Sequence, residues 1–88
     1  MSNLKNFSAS FKMTDWADLE PQFHNKYIKT MSDIIENTIN DGEISIHVDR
    51  MGFGTIDVNN SVMSCQNFRN YMKHFSSRFH FSIIEIQD

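Results

Sequence analysis

Four histidines, His24, His47, His74 and His80, are the side chains of this 88-residue chain best suited to ligating a metal. Their spacing works against it. No two stand three or four residues apart and no His-Glu-x-x-His pattern occurs, so a zinc site would need ligands gathered from distant segments. The single cysteine, Cys65, excludes an internal disulfide and a thiolate zinc cluster. It does not pair with His74 as a nucleophile, because their separation along a helix turns the two about half a turn apart. Asp33 with Glu36, and Asp15 with Asp18, have the separation of side chains sharing a helical face. Acid–base catalysis also needs burial to raise one pKa, and both pairs lie opposite the apolar positions, so a solvated acidic surface is expected. No metal, no cofactor and no enzymatic activity are expected.

Two other features suit recognition. The first is basic: Arg69 and Lys73 share a face of a predicted helix, Arg78 and His80 follow just beyond it, and Asn67, Asn70 and Tyr71 stand beside them. With Phe53 they form the expected partner-binding set, suited to phosphate or an acidic surface. The second is Phe81-Ser82-Ile83-Ile84-Glu85-Ile86, where Phe81 and Ile83 point one way in an extended strand while Ile84 and Ile86 point the other. An edge strand apolar on both faces is usually covered, by a bulge, a partner or a second copy. Phe81, Ile83, Ile84 and Ile86 are therefore the expected interface of a two-fold homodimer.

These residues need elements to hold them. Phe7 to Met13 alternates apolar and polar with period two, the pattern of a strand with one buried face. Pro21 is tolerated only in a first helical turn, so a helix starts there or after a short turn around Trp16. Phe23, Tyr27, Met31, Ile34 and Thr38, with Ile28, Ile35 and Ile39, then recur at helical spacing up to Gly42. Ile44–Asp49 and Gly54–Val58 alternate around a tight Arg50-Met51-Gly52 turn, a hairpin. Asn59-Asn60-Ser61 offers an N-cap to a helix striped by Val62, Cys65, Phe68, Met72 and Phe75. A strand over 79–86 closes the order, and the expected core is Phe11, Met31, Ile35, Ile46, Ile56, Phe68 and Met72.

The length allows one domain. The composition is 40% hydrophobic and 22% charged with one Pro, enough apolar bulk to fold. Apolar runs no longer than pairs exclude a membrane helix, and the N-terminus lacks the pattern of a secretory signal, so a cytoplasmic protein is expected. The net charge of −3 argues against strong nonspecific nucleic-acid binding.

The order βαββαβ resembles ferredoxin-like α+β domains, which implies a four-stranded antiparallel sheet with two helices on one face, β1 and β3 central. Within that class, Gly52-Phe53-Gly54-Thr55-Ile56 resembles part of the third-strand pattern of RNA recognition motifs, with Phe53 at one base-stacking position. Thr55 and Met51 depart from it, and the first strand presents Ser8, Ser10 and Lys12 where an aromatic is expected. Lys12-Met13-Thr14-Asp15 has neither the arginine nor the glycine of an acylphosphatase cradle. Thr14-Asp15-Trp16-Ala17 does not resemble the ligand loop of amino-acid-binding regulatory modules. The bias toward Ile, Asn, Lys, Phe and Met, with only two Ala and two Leu, resembles small proteins of AT-rich bacteriophages of the T-even kind. That resemblance implies a small interaction protein in the host cytoplasm that inhibits or redirects a host protein or ribonucleoprotein. An RNA-binding module using the basic helix is the alternative.

Overall fold

The computed structural model describes residues 3–87. Its elements are β1 (Lys5–Met13), a 3-10 turn (Trp16–Asp18), α1 (Pro21–Ile39), β2 (Glu43–Val48), β3 (Phe53–Ser61), α2 (Cys65–Phe79) and β4 (Phe81–Gln87). The four strands form one antiparallel sheet in the order β2-β3-β1-β4, the ferredoxin-like α+β arrangement expected from the element order. No helix among the described residues is long and apolar enough to cross a membrane.

Alternation in β1 turns Phe7, Ala9, Phe11 and Met13 to one face. There they join Ile56 and Val58 of β3, Met31 and Ile35 of α1 and Phe68, Met72 and Phe75 of α2 in a single core, so both helices lie on that face. Phe7 stacks on Phe68 with centroids 4.8 Å apart, and Phe11 meets Phe81 at 4.4 Å. Gly54 pairs with Phe11 across the ladder, and its missing side chain leaves the space that the Phe11 ring fills. The expected core is buried throughout except Ile46, which is half-buried on the edge strand β2. Phe23 and Thr38 are exposed, because the centre of the α1 stripe runs through Met31, Ile35 and Ile39.

The start of α2 differs from expectation. β3 continues to Ser61 and the helix is capped by the Ser64 hydroxyl, which accepts from the Asn67 N–H at 3.1 Å. The pairing of β1 with β3 shifts between Lys5 and Phe7, and Asn60 opposite is left-handed at φ 58, donating its N–H to Asn6 Oδ1. This bulge advances the inward set by one residue, so Ser61 is buried and Val62 is exposed rather than part of the helical stripe.

Candidate functional site

A second bulge decides how β4 is presented. Ser10 pairs with Glu85 but Phe11 pairs with Ile83, which leaves Ile84 as an extra residue in the ladder. The extra residue returns Ile86 to the helix-covered face beside Phe81 and Ile83, opposite Ala9, Met13 and Phe11 respectively. Of the residues expected at a homodimer interface, Phe81, Ile83, Ile84 and Ile86, the bulge places Ile86 with Phe81 and Ile83 rather than with Ile84. Phe81 is buried, Ile83 and Ile86 pack against the core, and Ile84 alone is exposed.

Ile84 emerges on the sheet face that no helix covers. Cross-strand register sets that face out in rows: His47, Thr55, Ser10 and Glu85 in one, Ser45, Asp57, Ser8 and Gln87 in the next. Phe53, Lys12 and Ser82 form a third, with the Lys12 ammonium 5.3 Å from the Phe53 ring centroid. Phe53 and Ile84 border one shallow depression of about 320 Å³ together with His47, Asp49 and Thr55. The Asp49 carboxylate accepts the N–H groups of Met51 and Phe53 at 2.9 and 3.0 Å, which fixes the hairpin turn that carries both side chains.

The basic residues are not on this face. Arg69 and Lys73 are exposed one turn apart on α2. Arg78 lies in the last turn of α2 rather than beyond it, five residues after Lys73 and so turned about 140° from it, with its guanidinium 5.6 Å from the Phe79 ring. His80 is the left-handed C-cap at φ 57. The expected set of Arg69, Lys73, Arg78, His80 and Phe53 is therefore split, because Phe53 faces away from the helices.

A third feature lies where the connection from β1 to α1 meets the end of α2. Met13, Trp16, Leu19, Tyr27 and Phe79 line a cavity of about 300 Å³. Thr14, Asp15 and His80, all exposed, complete its lining. Trp16 stacks on His24 at 4.0 Å, and Gly52, at φ 91, lies so close to the indole that a side chain there would press on it. His24 Nε2 lies 2.9 and 3.1 Å from the carbonyls of Leu19 and Trp16, two acceptors that place the ring proton on Nε2. The Trp16 indole N–H is buried with no hydrogen-bond partner among the described residues. The Tyr27 hydroxyl donates to the Phe79 carbonyl at 2.9 Å, and burial pushes its pKa up, so it stays a neutral phenol.

Comparisons with protein-family models, with curated proteins and with solved structures find no match.

The residues singled out for catalysis stay apart. Cys65 is half-buried against the core while His74 is exposed farther along α2. Asp33 and Glu36 are exposed, Asp33 in an i,i+4 ion pair with Lys29 at 3.4 Å. Asp15, which precedes the 3-10 turn, and Asp18, its last residue, are both exposed. Among the described residues no three His, Cys, Asp or Glu side chains come close enough to hold a metal ion. The cavity was not foreseen, since its walls come from four separate stretches of chain; an isolated Trp between an αL-tolerant Asp and a helix-starting Pro was its one local signal.

Proposed function

We propose that this chain is a small non-enzymatic interaction protein, encoded by a bacteriophage, that docks its uncovered sheet face on a host protein and inhibits or redirects it. The observation that carries this reading is the clustering of large apolar side chains in water on that face and its hairpin tip. Phe53 is 49% exposed, Ile84 57% and Met51 69%, with Phe53 and Ile84 on the same depression. Protein interfaces are anchored by a few such side chains inside a polar surround, which Ser10, His47 and Thr55 supply here. The bulge at Ile84 supports the reading further, because bulges re-aim single side chains at functional edges.

RNA is the less favoured partner. Lys12 is the one lysine in the three rows, against the carboxylates of Asp57 and Glu85, with Asp49 at the border, and this balance opposes a phosphate backbone. Among the described residues the three rows of the uncovered face hold one Phe, Tyr or Trp, Phe53, where base-stacking platforms use two or three.

The test is capture from bacterial lysate by the immobilised protein, compared with a Phe53→Ser/Ile84→Ser variant and repeated after nuclease treatment. A protein retained by the parent, lost by the variant, indifferent to nuclease and held at high salt is the expected result. Equal capture by the variant would remove the sheet face from the reading. Loss on nuclease treatment or a steep salt dependence would transfer it to RNA.

A further inference from the structure

We propose that the cavity between the β1–α1 connection and the end of α2 binds a small amphipathic amine, its aryl or alkyl body against Trp16, Tyr27 and Phe79 and its ammonium group at the Asp15 carboxylate. None of the cavity's lining residues belongs to the uncovered face, so the site stands independently of the docking function.

Size and lining come first. At about 300 Å³ the cavity matches the small end of ligand clefts, which are mostly apolar with a few polar groups to orient the occupant. Here the apolar part is aromatic and sulfur-bearing, and aromatic faces favour a cation over an anion.

The rim supplies the charge. Asp15 is the one carboxylate among the described lining residues, and neither lysine nor arginine lines the cavity. Its side chain does not cap the turn it precedes, so its oxygens remain available. The Tyr27 hydroxyl directs its proton at the Phe79 carbonyl in a hydrogen bond, which leaves its oxygen lone pairs as a second acceptor for an ammonium N–H. A carboxylate ligand would meet a like charge at Asp15 and lone pairs at the Tyr27 oxygen.

The mouth is also held in shape before anything binds. Asp15 and His80 are both left-handed at φ 57, and the Thr14 N–H between strand and turn donates to the His80 carbonyl at 2.8 Å. Non-glycine residues kept in that region by surrounding structure are frequent at ligand clamps. Preorganisation of this kind lowers the ordering cost of binding.

Phenethylamine is the probe, with phenethyl alcohol and phenylacetate as neutral and anionic matches of its shape. Trp16 is the sole tryptophan, so intrinsic fluorescence reports from the cavity wall itself. We expect a saturable change with phenethylamine, affinity about two- to fivefold tighter than for the alcohol, and the weakest binding for phenylacetate. Asp15→Asn keeps a residue that tolerates the left-handed region and should bring amine and alcohol to equal affinity with an unchanged melting temperature. Should that variant fold poorly, raising the ionic strength over the parent protein gives the second reading, since screening should narrow the gap between amine and alcohol. Absence of saturation by phenethylamine, equal binding of phenylacetate, or a preference for amine that survives both Asp15→Asn and high salt would overturn the proposal.

Discussion

The Asp41 carboxylate, between α1 and β2, accepts a hydrogen bond from the Ser61 hydroxyl at the end of β3, and the backbone N–H groups of Val62 and Met63 point at the same carboxylate at 3.2 Å. Two connections distant in sequence are thereby tied together by one side chain. The Ser61 hydroxyl, with those two N–H groups, holds the Asp41 pKa below its usual value of 3.8. A depressed carboxylate pKa stabilises the folded state above the unfolded pKa, and the contribution is lost as pH falls through the folded value. Asp41→Ala should therefore cost about 1–3 kcal/mol at neutral pH, by denaturant titration, with the difference from the parent shrinking below about pH 4. A difference that persists undiminished at acid pH would assign the loss to packing rather than to the charge.

Phe68 is fully buried and stacked on Phe7, so it joins α2 to the central strand. Phe68→Ala leaves a cavity that the sheet cannot close, and a loss of about 3–5 kcal/mol is expected in chemical denaturation. Unchanged stability would contradict the register of α2 against β1.

Gly54 is a glycine for space. A methyl group there would overlap the Phe11 ring and the His47 carbonyl oxygen, one from each neighbouring strand. Gly54→Ala should destabilise by about 1–3 kcal/mol, although alanine is ordinarily the better residue in a strand interior. Thermal melting decides it, and a neutral result would mean that Phe11 finds another rotamer.

Much of the fold was legible because the chain advertises it locally. The period of Phe7 to Met13, the proline at the first position of α1 and the Arg50-Met51-Gly52 hairpin give elements, and the handedness of crossovers gives the strand order. What was hidden lies at two residues, Asn60 and Ile84. Each is one extra residue in a ladder, set by what the partner strand opposes to it, and each shifts every later side chain by one face. That shift turns Ile86 inward where alternation put it outward, while Val62, expected in the helical stripe, lies before α2 begins. The cavity was hidden for another reason, since Met13, Trp16, Tyr27 and Phe79 converge only after both helices dock.

Two adjacent isoleucines of β4 are unequal, and the bulge there returns Ile86 to the face of Ile83 where alternation alone would leave it with Ile84. Ile83 pairs with Phe11 and packs against the core, whereas Ile84 is the unpaired residue exposed on the other face. Ile83→Lys forces an ammonium toward that core, and about 1–3 kcal/mol of stability should be lost. Ile84→Lys should stay within about 0.5 kcal/mol of the parent, as surface substitutions do. With Ile86 turned inward, the apolar surface that called for a second copy is reduced to Ile84 and its neighbour Phe53, so light scattering should give the mass of a single chain for the parent and for Ile84→Lys. A parent dimer that Ile84→Lys dissociates without unfolding would instead seat a second copy on the uncovered face. Equal melting of the two lysine variants would contradict the packing of Ile83 against the core, whereas the bulge itself is tested by Ile86→Lys, which should lose stability as Ile83→Lys does although a regular strand would put Ile86 on the face of Ile84.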